Sequence, residues 1–299
     1  ILEPFEMGKK DHNSAEYVHL IIETIKLVMA DRYKYFGDPD VVKVPLKGLV
    51  SKEYAAERRE LIDLKKAAPH FEPGDPWKYQ EGKASVEDDR VVAFASGKER
   101  PDDAWETDTI QLAVMDKDGN MFSTTSSNNM GIRVTGVVPG KVGFLLSGRM
   151  RMFYDDPKSA NQLAPFKRPR VTPNPALVFK NGKPFMAFGT PGGDQQVQTM
   201  IQIFMNVAEF GMPVQNALEQ VRVRSFAFPK AYFPGEVIDY RMGIGEAVPP
   251  EVVKGLEALG HIVAVENTWA EAYGGSCTVV TGVISAGADP RRECYVVGW

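Results

Sequence analysis

The stretch Thr107 to Gly131, TDTIQLAVMDKDGNMFSTTSSNNMG, decides the fold. Ile110, Leu112 and Val114 alternate with Gln111, Ala113 and Met115, the period of a strand with two unlike faces. Asp116-Lys117-Asp118-Gly119-Asn120 then supplies turn chemistry, with Gly119 free to take positive φ. Met121, Phe122 and Ser123 begin a return strand, so the stretch predicts a β-hairpin. The return strand is unusual. Ser123, Thr124, Thr125, Ser126 and Ser127 are all hydroxylated, and Asn128 and Asn129 follow.

Thr109, at the head of the first strand, admits two readings. It is a residue of an ordinary surface hairpin, or it is a nucleophile. A Thr hydroxyl needs a base beside it, and cutting the chain before the Thr supplies one. The freed α-amine, with a pKa of about 8, serves near neutrality.

The chain has 299 residues, 43% hydrophobic and 25% charged, enough for one large domain or two small ones. A net charge of −4 with no basic block argues against a nucleic-acid partner, and no apolar run is long enough to span a membrane. Cys277 and Cys294 make neither a disulfide framework nor a zinc set. His19 has no companion at metal-ligand spacing, and His261 starts a strand, so both read as structural. Gly243-x-Gly245 lacks the context of a nucleotide fingerprint. No metal and no cofactor are expected. Ile1 opens the chain without a signal-peptide pattern, which leaves the compartment open between cytoplasm and periplasm.

Elsewhere the periodicity predicts helices over 14–31, with Ser14 as N-cap, and over 51–66, with Glu57, Arg58, Arg59 and Glu60 on a solvated face. Residues 67–108, broken by Pro69, Pro73, Pro76 and Pro101, predict an irregular, mobile tail. A second hairpin joins Ala176–Phe179 to Pro184–Phe188 through a type I′ turn at Asn181-Gly182. Gly189-Thr190-Pro191-Gly192-Gly193-Asp194 follows. It is a turn, or a loop whose backbone N–H groups approach a reacting carbonyl. Helices over 198–210, 214–221 and 250–259 come next, with strands at 236–238, 261–265, 277–284 and 295–299.

The residues from Thr109 to Asn129 resemble the start of the small subunit of the gamma-glutamyltranspeptidase family, N-terminal-nucleophile hydrolases that cleave themselves before a Thr. Thr109 falls on the family nucleophile, which makes Asp108–Thr109 the bond to be cut. Ser127 falls where the family has a second Thr that hydrogen-bonds the nucleophile, and Asn129 on an Asn of the substrate pocket. The family's Thr-Thr-His is here Thr109-Ile110-Gln111. Ala30-Asp31-Arg32-x-x-Tyr35-x-Gly37-Asp38-Pro39-Asp40 is similar to the end of the family's large subunit. Lys167-Arg168-Pro169 and Pro191-Gly192-Gly193 are similar to its later motifs, and Gly274-Gly275-Ser276 and the stretch 287–291 to its ending. The resemblance makes Gly192 and Gly193 the oxyanion donors.

Two departures stand out. Where the family grips the donor's α-ammonium with an amide or carboxylate and then an Asp, this chain has Arg149 and Met152. Where it binds the donor carboxylate with two serines, this chain has Val171 and Thr172. An ammonium is repelled by Arg149 and left unpaired by Met152, whereas a carboxylate suits Arg149. A solvent-facing Arg149 is the competing reading.

The resemblance implies an α+β fold, a four-layer αββα sandwich, divided into a large-subunit-like part at 1–108 and a small-subunit-like part at 109–299. It implies a self-processing amidohydrolase or acyltransferase. Its substrate is a small-molecule amide, here one other than a gamma-glutamyl amide, and its acceptor is water or an amine. Two alternatives remain, a true glutathione hydrolase and an uncut chain acting as a binding partner. Residues 1–108 resemble only the last part of a large subunit, so the remainder of that subunit or a second copy is the expected protein partner.

Overall fold

The computed structural model describes residues 1–80, 95–96, 109–127, 137–231, 235–267, 276–280, 283–291 and 293–298. In chain order the helices are α1 (Ala15–Tyr35), α2 (Leu46–Leu49), α3 (Lys52–Arg59), α4 (Gln195–Ala208), α5 (Val214–Glu219) and α6 (Pro250–Ala258). The strands are β1 (Ala95–Ser96), β2 (Ile110–Met115), β3 (Met121–Ser126), β4 (Ala176–Lys180), β5 (Lys183–Gly189), β6 (Val223–Ser225), β7 (Glu236–Val237), β8 (Arg241–Gly245), β9 (Ile262–Glu266), β10 (Ser276–Val280) and β11 (Ile284–Ala288).

Both predicted hairpins form. At β2–β3 the Asp116 carboxylate accepts from Asp118 N, Asn120 N and Asn120 Nδ2, and Gly119 takes φ 84°. At β4–β5 both turn residues have positive φ, 53° at Asn181 and 74° at Gly182, as a type I′ turn requires. β5 is central in an antiparallel sheet of order β11-β10-β5-β4. One of its faces packs on α4 and α5 through Phe185, Phe188, Met200, Ile203 and Leu218, and the hairpin β2–β3 lies against β4, β5 and β10.

A second core surrounds α1. Ser14 caps this helix by accepting from Tyr17 N, and Val18, Ile21, Ile22 and Ile25 pack with Val223, Met242, Ile244 and Leu256. Here β8, α6 and β9 form a crossover unit, which makes β8 and β9 parallel beside antiparallel β6.

Several expectations change. α3 stops at Arg59, and Arg58 is buried: its guanidinium binds Glu72 O and lies 3.3 Å from the Asp31 carboxylate. Residues 67–80 are held, with Ala67 N bonded to Leu259 O and Gly74 N to Asp31 Oδ1. The rest of the predicted tail, apart from Ala95–Ser96, lies outside the described residues. The stretch 277–284 belongs to two paired strands, β10 and β11, and 293–298 is not a strand.

His19 and His261, each read as structural, meet in the α1 core. His19 Nε2 lies 2.8 Å from Asp63 O, and a carbonyl only accepts, so Nε2 carries the proton. His19 Nδ1 therefore accepts from His261 Nε2 at 2.8 Å. Beside them the fully buried Lys26 donates to Glu23 at 2.6 Å. Burial, then the nearby Lys26 and His19, lowers His261 to a pKa of about 3. The unfolded chain binds a proton at this residue below about pH 6.5 and the folded chain does not until about pH 3. Stability from this group is therefore complete above about pH 6.5 and is lost as pH falls toward 3. In urea unfolding at stepped pH, His261→Asn should flatten the acid slope by up to about 1.4 kcal/mol per pH unit. An unchanged slope would show that His261 does not carry it.

Candidate active site

Alternation along β2 puts Thr109, Gln111 and Ala113 on the face turned toward β5, and Ile110, Leu112 and Val114 on the exposed face. In the β3 register Gln111 faces Thr125 and Ala113 faces Ser123. One step further, Thr109 Oγ1 donates to Ser127 Oγ at 2.9 Å. The run of hydroxyls now has a reason. Its inward members make a ladder: Thr125 Oγ1 donates to Gln111 Oε1 at 2.6 Å, Gln111 Nε2 to Ser123 Oγ at 3.1 Å, and Ser123 Oγ to Phe188 O at 2.9 Å.

Arg149 enters from the 3-10 turn Gly148–Met152 and is buried, which removes the solvent-facing reading. Its guanidinium reaches Ser127 O at 3.5 Å, Thr172 Oγ1 at 3.3 Å and Met152 Sδ at 3.5 Å. Thr109, Ser127, Arg149 and Thr172 thus form one connected group. Val171 is half exposed. Asn129 and Asp108 lie outside the described residues.

Gly192 and Gly193 have φ of 119° and 57°, which glycine adopts readily and β-branched or bulky residues avoid. Their carbonyls accept from Gln195 N and Gln196 N in the first turn of α4. The loop is fixed by Asp194. Its Oδ1 accepts from Arg32 at the end of α1 at 2.6 Å, and its Oδ2 accepts from Ala231 N at 2.7 Å. Asp38 likewise accepts three bonds from Arg168, which keep its carboxyl well below the usual range. The Ala30–Asp40 run is therefore tied to both later motifs by salt bridges.

Among the described residues, His19, Glu23 and His261 have the most metal-like make-up, with ligand atoms within 4.8 Å of one another. The Lys26 ammonium already pairs with that carboxylate, and a divalent ion beside it would leave excess positive charge buried. The set reads as core structure.

Comparison with known proteins accords with this arrangement. A family model described as gamma-glutamyltranspeptidase matches residues 1–299. The chain belongs to the gamma-glutamyltranspeptidase family. Over 261 residues it is 34% identical to a "Glutathione hydrolase proenzyme" of Bacillus subtilis (strain 168), covering 87% of this chain and 41% of the relative. A crystal structure of cephalosporin acylase from Bacillus halodurans superposes with a TM-score of 0.76 at 28% identity, covering all of this chain and 48% of the other. A gamma-glutamyltranspeptidase from Pseudomonas nitroreducens, complexed with L-DON, gives a TM-score of 0.52 at 25% identity, covering 63% of this chain and 98% of the other. The chain spans about half the length of the curated relatives it matches. Its fold is the α+β sandwich of the N-terminal-nucleophile hydrolases.

The sequence marked Arg32 only as part of the family-like Ala30–Asp40 run; its partner lies 162 residues away. Arg32 and Asp194 are both largely buried, so removing one partner strands the other. Arg32→Met should cost about 3 kcal/mol in urea unfolding, and adding Asp194→Asn should recover part of it. Purely additive losses would show that the pair is not coupled.

Proposed function

We propose that this chain carries the reaction centre of a self-processing amidohydrolase. The observation that carries the reading is the Thr109–Ser127–Arg149–Thr172 group at the head of β2. Cleavage after Asp108 frees the Thr109 α-amine. Thr109 Oγ attacks an amide carbonyl, the α-amine takes its proton, and N–H groups of Gly192 and Gly193 hold the oxyanion. The intermediate collapses, the leaving amine takes that proton, and the acyl group remains as an ester on Thr109. Water or an amine then releases it. Ser127 orients the Thr109 hydroxyl, and Asn129 contacts the substrate.

Residues 1–108 and 109–299 are the large-subunit-like and small-subunit-like parts. The solved chain matched over 98% of its length pairs with 63% of this one, about 190 residues, and about 190 run from Thr109 to Trp299. Ile110, Leu112, Val114 and Phe122 lie exposed on the outer face of the hairpin, which supports a further large-subunit segment or a second copy as cover.

Arg149 sets the substrate. A buried guanidinium beside Ser127 favours an acyl donor bearing a carboxylate over one bearing an ammonium at that place. Glutathione hydrolysis is the second reading, favoured by the name of the Bacillus subtilis relative.

Two measurements check this. After incubation, N-terminal sequencing should find a new chain beginning at Thr109, absent from Thr109→Ala; one uncut chain in both removes the reading. Glutaryl-p-nitroanilide and γ-glutamyl-p-nitroanilide differ only by the α-ammonium. The former should have the higher kcat/KM, and Arg149→Ala should lower that value by about tenfold or more. A preference for the γ-glutamyl compound would favour glutathione hydrolysis.

A further inference from the structure

We infer that Gln111 is a positioning residue that sets the spacing between Thr109 and the Gly192–Gly193 loop by packing its side-chain amide onto the bare backbone of Gly189. The inference rests on the reading of Thr109 as nucleophile.

Gln111 and Thr109 share the inward face of the hairpin, two residues apart. Gly189 is the last residue of β5, three before Gly192. A Cβ built on Gly189 would lie 2.5 Å from Gln111 Cδ and 2.7 Å from Gln111 Nε2, distances that real Cβ atoms do not show. Gly189 is not in the left-handed region, so its backbone would accept alanine. What requires glycine there is the amide of Gln111.

That amide has little freedom to retreat. Thr125 Oγ1 donates to its Oε1, and its Nε2 donates to Ser123 Oγ and Leu112 O. The same Ser123 hydroxyl is bonded to Phe188 O, the residue before Gly189. On the far side Gly189 is paired with Ser276 of β10, and Phe188 with Cys277. Hairpin and strand are thus locked at one separation by a steric stop and a hydroxyl bridge. The stop lies two residues along β2 from Thr109 and three residues before Gly192. Oxyanion donors act only when placed within a few tenths of an ångström, so a methyl group's worth of separation should act on rate.

The test is a double-mutant cycle in the full chain, read by three quantities: the rate of cleavage at 108–109, kcat and KM for glutaryl-p-nitroanilide, and the urea midpoint. Gly189→Ala should slow cleavage and lower kcat by about tenfold or more with KM changed less than threefold. Gln111→Ala makes room for that methyl. Gln111→Ala with Gly189→Ala should therefore recover kcat to within about threefold of Gln111→Ala alone. A purely structural contact would lower the urea midpoint and leave kcat of the folded fraction unchanged. That outcome overturns the inference, as does a double variant whose kcat falls far below that of Gln111→Ala alone, because the methyl would then act without the amide. Wild-type cleavage that Thr109→Ala abolishes, with Gly189→Ala behaving as wild type, overturns the inference and leaves the nucleophile reading standing. An uncut wild type removes the nucleophile reading and this inference with it, and the urea midpoints still report whether residues 111 and 189 are coupled.

Discussion

The ion pair between Arg32 and Asp194 is the constraint on which the rest of the site depends. It joins the last turn of α1 to the residue after Gly193. Asp194 spends its other oxygen on Ala231 N, so one carboxylate holds three separate segments. Two consecutive glycines in left-handed conformations have no side chains to pack, and such a loop stays in one place only if its ends are fixed. One end is fixed by Asp194 and the α4 turn that follows. The other is β5, clamped between β4 and β10.

The pair also bears on the proposed processing. Arg32 precedes Thr109 and Asp194 follows it, so a cut at 108–109 leaves the salt bridge spanning two chains. Asp38–Arg168 spans them as well, as does the His19–His261 contact. Links of this kind would hold the two parts together if the chain were opened at 108–109. The core around α1 does the same by burial, because Ile21 and Ile22 pack with Met242, Ile244 and Leu256.

Local chemistry made part of this legible. Asp116–Asn120 and Asn181-Gly182 are turns by residue type, so both hairpins could be placed from sequence, and Ser14 marked the start of α1. β6 and β8 could not. β6 has three residues, and β8 reads Arg-Met-Gly-Ile-Gly, where two glycines hide the alternation. Residues 67–80 look like a tail because prolines and charges dominate them, yet buried long-range bonds hold them in place. Thr109 and Ser127 were legible through the resemblance of this hairpin to the family's, and the β2–β3 register then brings the two hydroxyls together. Gln111 was not, because its significance lies in a glycine 78 positions away that has no side chain to advertise the contact.

The polar inner face of β2–β3 poses a physical problem that also explains its precision. A strand face turned toward a sheet is ordinarily apolar, and buried hydroxyls are costly unless bonded. Here Thr109, Ser123, Thr125 and Ser127 are all engaged, with Gln111 as the hub for two of them. Hydrogen bonds fix distance and direction where apolar contact fixes only distance, so a bonded ladder holds a hydroxyl at the head of its strand more narrowly than a greasy face would. The apolar residues of the same hairpin are displaced to the outside, at Ile110, Leu112 and Val114, where they lie exposed. A hairpin that spends its inner face on positioning must find its hydrophobic stabilisation on the outer one. The two faces of β2 are therefore one arrangement: the inward face holds Thr109 by hydrogen bonds, and the outward face carries the apolar side chains.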